Sequence, residues 1–383
     1  MKKIIKILLL LALTFSISME EIIAIEKIKI GLLVPLTGKN SEIGQSIIKS
    51  SRLAINKIDN SFIEIIPRDT KSNPTDTLRA AKELGQLGIK IIIGPVFNKN
   101  QAYLDELKEI TFISLTNKSD NKSKNIINAG INATSQLSGI KKFIELNNIK
   151  KTIFLTPDVD YKNEIEKAID ASKIKILGNY VYKTDPTKLT NRIEEITNYK
   201  KRKQNLEDEI IRVEKSNQAD KEKLIERLKK RDTLGSVKFD SIIIADFDES
   251  LKSVTTSLLY TDISPKKKYF ITLNQWFDKS LLKEASSQPL YFPSINKKNY
   301  EDFSLEYFNK FGQYPNQLSF LSFDLVGLVY YLILKNNSIV DKEMFKRKNL
   351  FKGKVGIFEI KNNKINHILN FYKIENSEFK KIF

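Results

Sequence analysis

The chain alternates short β-branched runs with longer stretches of helical periodicity, and the rhythm begins over residues 28–58. Ile28, Ile30, Leu32, Leu33 and Val34 form a strand-length aliphatic run. Pro35 and Gly38 break it, and Ile43, Ile47, Ile48, Leu53, Ala54, Ile55 and Ile58 then recur at the spacing of a helix with one buried face. Residues 62–66, 89–93 and 111–115 repeat the strand signal, with helices predicted at 75–87 and, after a loop at 96–100, up to residue 108. Strands joined through helices in this order predict a parallel sheet, and right-handed crossovers put the loops after the strands at one end. Open α/β sheets bind their ligands there, so the loops at 36–41, 94–100 and 116–119 are the first places to look for function. Ser41 or Asn40, Thr75, and Ser135 or Thr134 are the predicted caps of the first three long helices.

The pattern restarts near residue 131, where Asn132 is placed at a crossing into a second α/β unit. Strands are predicted at 152–155, 174–182 and 239–245, and helices at 135–147, 158–171 and 249–259. A strand at 269–273 is read as the return to the first unit. This gives one lobe from 27–131 with 268–350 and a second from 132–267 with 351–383. Residues 300–311 form an amphipathic helix stopped by Gly312 and Pro315, residues 318–334 a helix apolar on most faces, and residues 355–360 and 365–372 a β-hairpin about Lys361-Asn362-Asn363-Lys364. The segment 190–234 interrupts this order. Ile193, Ile196, Tyr199, Leu206, Ile210 and Val213 keep three-to-four spacing, Leu224, Ile225 and Leu228 resume it, and nearly everything between is charged. It is either one long helix or a helical hairpin, and either a solvated extension of a crossover helix or an arm that docks a partner.

With 383 residues, two hydrophobic cores are affordable, and 41% hydrophobic content excludes a disordered chain. The net charge of +18 is carried by scattered lysines in short blocks, the longest being Lys266-Lys267-Lys268. It reflects either an anionic partner or general lysine usage, and no basic stripe interleaved with aromatics points to nucleic acid. The absence of cysteine excludes disulfides, cysteine-ligated zinc and N-terminal lipidation on cysteine. Lys2, Lys3 and Lys6 precede the apolar run 7–17, so residues 1–24 are expected to be a cleavable signal peptide, cut after Ser18 or Ala24, and the product periplasmic.

No catalytic constellation emerges. The one histidine, His367, has no second ligand for a metal and no serine elbow, and is read as an edge-strand or surface residue. No metal or cofactor is expected. The sole tryptophan, Trp276, is assigned to the core rather than the cleft. For a ligand held between lobes the candidates are Thr37, Ser41, Asn98, Asn100, Thr116 and Asn117 from the first, with Asp158, Tyr161 and Asp246 from the second. Hydroxyls, amides and backbone N–H groups suit a carboxylate, and an acidic side chain suits an ammonium.

Two sets of motifs carry a family resemblance. The run Ile30-Gly31-Leu32-Leu33-Val34-Pro35-Leu36-Thr37-Gly38, then Gly44, Asp69, Pro74, Ala80-Ala81 and Ile93-Gly94-Pro95, resembles the leucine-binding, type I periplasmic binding proteins. That resemblance implies an α/β type I periplasmic-binding-protein fold, two doubly wound lobes joined by a three-strand hinge, here with a helical insertion at 190–234. The family's amino-acid binders place Ser, Ala and Thr where this chain has Asn98-Lys99-Asn100 and Leu115-Thr116-Asn117-Lys118. These latter residues, with Ile131-Asn132-Ala133-Thr134-Ser135-Gln136, Thr156-Pro157-Asp158, Arg231-Asp232-Thr233-Leu234-Gly235, Leu273-Asn274-Gln275-Trp276 and Ser322-Phe323-Asp324, resemble the penicillin-binding protein activator branch of the fold. This likeness implies a non-enzymatic protein that stimulates a peptidoglycan synthase by contact. The leucine-binding likeness implies instead a solute receptor for the permease of an ABC importer of amino acids or related molecules.

Overall fold

The computed structural model describes residues 27–58, 63–118, 123–337, 339–354 and 356–383; the expected leader lies outside them. Two sheets organise the chain. In the first, β1 (Ile28–Val34), β2 (Ile63–Asp69), β3 (Ile91–Ile93), β4 (Thr111–Ser114) and β5 (Ile126–Asn128) lie all parallel in the order β2-β1-β3-β4-β5. β1 is buried along most of its length because it sits inside the sheet, whereas β2 is an edge strand and tolerates Pro67. The helices α1 (Ser41–Ile58) and α2 (Pro74–Gln86) cross over between strands. Gly44 lets α1 start against the end of β1: a Cβ there would lie 1.8 Å from the Pro35 carbonyl oxygen. Two caps fall two or three residues before their predicted places. Asn73 rather than Thr75 caps α2 by accepting from Asp76 N, and Asn132 rather than Thr134 or Ser135 caps α3 (Ala133–Leu146) by accepting from Ser135 N. Asn supplies a carboxamide oxygen in place of a hydroxyl as the acceptor.

The helix expected between the loop 96–100 and Lys108 does not form. Two short 3₁₀ turns, Asn98–Gln101 and Leu104–Glu106, are separated by Tyr103 at φ 69°. Asn125 Nδ2 lies 3.0–3.3 Å from the carbonyl oxygens of Leu104, Leu107 and Ile110 and supplies from one side chain the donors a helix would have given.

The second sheet has seven strands. β6 (Thr152–Pro157), β7 (Gly178–Tyr182), β8 (Ser241–Ile244), β9 (Tyr269–Thr272) and β10 (Leu290–Ser294) are parallel, β14 (Asn370–Glu375) and β15 (Glu378–Lys381) antiparallel, in the order β15-β14-β10-β9-β8-β6-β7. Residues 269–273, expected to lead back to the first unit, thus pair in the second sheet, and so does β10. Ile243 pairs with Ile271 beside Phe154, all fully buried, so an all-aliphatic strand finds its place next to the core of the second sheet. Helices α4 (Lys162–Ser172), α5 (Pro186–Thr197) and α8 (Asp248–Tyr260) flank it. The return comes with α9 (Lys297–Phe311) and α10 (Gln317–Lys335), which pack on α1. Ser46 Oγ sits 2.6 Å from Ser319 Oγ and 3.0 Å from Tyr307 OH, so small polar residues let α1 and α10 approach closely while their hydroxyls satisfy one another. Among the described residues α10 alone is long and apolar enough to cross a membrane, yet it lies in the core, with Asp324 buried at its middle and accepting from Lys354 N.

The segment 190–234 is a hairpin. α5 ends at Asn198 in the left-handed region (φ 51°), α6 (Tyr199–Glu214) runs out, and α7 (Lys221–Lys229) returns. Leu206, Val213 and Leu228 form its own small core. Buried Arg202 ties the root to the second lobe, donating to Thr197 O (3.0 Å), Thr233 Oγ1 (3.1 Å) and Thr261 O.

The C-terminal hairpin is β12 (Ile357–Lys361) and β13 (Lys364–Ile368), with Asn362 and Asn363 both at positive φ as a two-residue turn requires. With β11 (Asn349–Lys352) it forms a separate three-stranded sheet. The strand predicted at 365–372 is therefore divided at Leu369, its second half being β14. His367 is buried, not superficial. It faces the crossing between the two sheets, where its Nε2 donates to Ala129 O (2.8 Å) and its backbone N–H donates to Ser135 Oγ (3.0 Å). Burial pushes its pKa from 6.5 down to about 4, against the opposing pull of the Ala129 carbonyl. The folded state thus holds His367 neutral while the unfolded chain takes up a proton, so stability is full above pH 6.5 and is lost as pH falls towards 4. Urea titrations of the parent and of His367→Gln are expected to show an extra pH-dependent loss in the parent of about 3 kcal/mol across that window; parallel curves would contradict it.

Candidate functional site

The loops that follow the strands of the two sheets face one another across a cavity of about 1620 Å³. The first sheet supplies Phe97 and Asn98 after β3 and Thr116, Asn117 and Lys118 after β4. The second supplies Phe247 and Asp248 after β8 and Asn274 to Lys279 after β9, while α9 and the start of α10 close one side. This is the end of the sheets at which parallel topology gathers its free loops. The cavity exceeds the roughly 300–1,000 Å³ of a pocket shaped to one small molecule, so in this conformation the cleft is open.

Its lining mixes two chemistries. Trp276, Tyr300, Leu305, Tyr314, Leu318 and Phe379 are apolar, with Tyr314 and Leu305 exposed. The polar lining is almost without net charge, built on the carboxamides of Asn98, Asn117, Gln136, Asn274 and Gln275 with the hydroxyl of Thr116. Cations at Lys118, Lys279 and Lys297 are matched by Asp248, Asp278, Glu301 and Glu378, and Lys297 pairs with Glu301 at 2.5 Å. Such a lining suits an amphipathic ligand of low net charge.

The turn after β9 is the most tightly built part. Gln136 Oε1 accepts from Asn274 N (2.8 Å), Asn274 Oδ1 accepts from Trp276 N (3.0 Å) and Ser294 Oγ (2.7 Å), and Gln275 Nε2 donates to Thr272 Oγ1 (2.9 Å). Asn274 Nδ2 is buried without a partner among the described residues. Trp276 and Phe277 both take positive φ, 48° and 58°. Trp276, expected in the core, is half-buried: it packs on the core and also lines the cavity, while Phe277 is buried.

Of the predicted ligand residues, Asn98, Thr116 and Asn117 line the cavity and the other six do not. Thr37 Oγ1 donates to Asp69 Oδ2 (2.6 Å), and Leu36 N and Lys71 N donate to Asp69 Oδ1 (both 2.8 Å), closing the first loop on the end of β2. Burial pushes the Asp69 carboxyl up, but the bonds from Thr37 and the backbone outweigh it and hold it below the usual range. Ser41 opens α1, its N–H bonded to Gly38 O. Asn100 is fully buried and neither amide atom has a partner among the described residues. Asp158 pairs with Lys162 at 2.9 Å, which keeps its carboxyl low. Asp246 is buried under two phenols: Tyr182 OH donates at 2.6 Å and Tyr161 OH at 3.4 Å, and Phe247 N donates at 2.9 Å. Burial raises its pKa against these donors, and burial beside the carboxylate raises both tyrosines. The acid expected to meet an ammonium therefore holds the core of its own loop. Gln136, Asn274, Gln275 and Trp276 were signalled only by the family resemblance, because isolated carboxamides have no spacing signature.

These assignments separate on mutation. Tyr182→Phe leaves Asp246 buried without its shortest bond and should lower stability by about 1–3 kcal/mol, whereas Asn98→Ala and Asn117→Ala should stay within about 0.5 kcal/mol, both read from denaturant midpoints.

Comparison with known proteins agrees with this architecture. Residues 27–200 match the family model described as periplasmic binding protein. No curated protein matches the sequence significantly. Among solved structures the chain is similar to the branched-chain amino acid substrate-binding protein LivJ of Streptococcus pneumoniae in complex with isoleucine, with 17% identity and TM-score 0.53 over 93% of this chain and 98% of that one. It is similar to an ABC transporter substrate-binding protein of Desulfitobacterium hafniense in complex with leucine, with 14% identity and TM-score 0.59 over 93% and 100%. The LpoA C-domain of Haemophilus influenzae, a regulator of PBP1A, aligns with 13% identity and TM-score 0.63 over 93% and 100%.

Proposed function

Because the chain has the type I periplasmic-binding-protein fold of the leucine-binding family, we propose that it is a non-enzymatic periplasmic protein that regulates a peptidoglycan synthase by contact. The observation that carries this reading is the helical hairpin. α5 alone completes the crossover from β7 to β8, so α6 and α7 are surplus to the sheet. They nevertheless have their own core, are fixed at the root by buried Arg202, and present charged side chains around exposed Ile211. A stiff projection of this kind has a physical reason to exist when a partner covers it. The likeness in fold to the LpoA C-domain supports the class of partner, and the engagement of Thr37 and Asp246 inside the fold speaks against the usual α-amino-acid grip.

The second reading, a solute receptor for an ABC importer, is favoured by the open cleft with its mixed apolar and polar lining. Trp276 in its wall makes that reading measurable, since saturable quenching by an amino acid or peptidoglycan fragment would report entry. For the first reading, replacing residues 199–231 by a short Gly-Ser link should abolish binding to a penicillin-binding protein synthase in biolayer interferometry. Ile211→Glu, which leaves the fold alone, should weaken it at least tenfold, about 1.4 kcal/mol. Synthase binding undiminished in both variants overturns the proposal.

A further inference from the structure

The parallel strands that send their carboxyl ends to the cleft send their amino ends to the opposite pole of the second lobe. The starts of four of them are tied together: Leu177 N donates to Thr152 O (2.7 Å), Asp240 N to Lys151 O (2.7 Å), and Tyr269 N to Asp240 O (3.1 Å). The segments leading into β6, β7, β8 and β9 therefore lie side by side. They carry Lys150, Lys151, Lys175, Lys238, Lys266 and Lys267, all exposed and none in an ion pair among the described residues. Lys268 alone in this group is near an acid, Asp240 at 3.9 Å. Exposed acids at this pole are fewer: Glu145, Asp170, Glu195 and Asp232, with Asp240 partly exposed. The arm rises from the same pole, because α5 runs back along the sheet from the end of β7, and its root adds the exposed cations Lys201, Lys229 and Lys230, with Lys200 3.8 Å from Glu194.

Helix C-termini also point here, and lysines often balance their partial negative charge. Most of these lysines, however, precede strands rather than close helices. Among them stand three large apolar side chains: Leu146 at the end of α3, Leu177 before β7 and Tyr260 at the end of α8, 60%, 56% and 55% exposed. Cations alone would suit any polyanion, but apolar tips set in a basic field suit an interface with anionic headgroups above and acyl chains below.

We propose that this pole rests on a bilayer surface rich in anionic lipid, the lysines on headgroup phosphates and Leu146, Leu177 and Tyr260 at the acyl boundary. The cleft then faces away from the bilayer. The test is co-sedimentation of the full exported chain with vesicles of phosphatidylcholine alone, or of phosphatidylcholine and phosphatidylglycerol in equal parts. No synthase is present, so the outcome does not depend on the reading above. Binding to the mixed vesicles only, falling with added salt, is expected. Lys150→Gln/Lys151→Gln/Lys266→Gln/Lys267→Gln should weaken it about 100-fold or more, and Leu146→Ser/Leu177→Ser about tenfold. Matching Lys→Arg changes should preserve it, which separates charge from misfolding. Equal binding to both vesicle types, no binding to either, or full binding by the glutamine variant overturns the proposal.

Discussion

The two sheets share no ladder of hydrogen bonds, so their relation depends on the strands of chain that pass between them. The best defined of these joints is where residues 129–135 run past β13. There a neutral imidazole, sealed from water, grips the Ala129 carbonyl while the His367 N–H grips Ser135. Asn132 in the same stretch caps α3, so one short segment fixes the end of the first sheet, the start of the second lobe and the C-terminal hairpin together. The joint also reaches the cleft, since Gly130, Ile131 and Gln136 line the cavity.

The polar groups near the cleft divide by charge. The carboxylates are used by the fold: Asp69 organises the first loop and Asp246 anchors two tyrosines. Of the carboxamides, Asn98 and Asn117 line the cavity, and Asn274 lines it while bonding within its own turn. A carboxylate beside a buried sheet end must find donors nearby or suffer the cost of desolvation. A neutral amide faces a smaller penalty and can remain available.

This division explains what could be learned before any coordinates. Periodicity located most strands and long helices of both lobes because burying an aliphatic face imposes a spacing that survives in the sequence, but it missed the short strands β5, β10 and β11 and drew a helix where two 3₁₀ turns form. It misplaced residues 269–273, because the pattern of a buried parallel strand is the same in either sheet and only its neighbours decide. It placed Asn98, Thr116 and Asn117 at the cavity, since their loops follow strands directly, and it put Thr37 and Asp246 there for the same reason. Whether such a residue turns inward depends on a partner distant in sequence: Asp69 for Thr37, Tyr182 for Asp246. Trp276 packs on the core as read but also lines the cavity, and His367 is drawn inward by a carbonyl more than two hundred residues away.

The order in which the strands occur along the chain has a further consequence. β14 is the neighbour of β10 in the second sheet, yet it is made after both helices of the return, α9 and α10. Until residues 370–381 are available, β10 exposes an unpaired edge and Phe292 lacks Tyr372, its stacked neighbour. A lobe that closes only with its last strands stays open while the rest of the chain is being made.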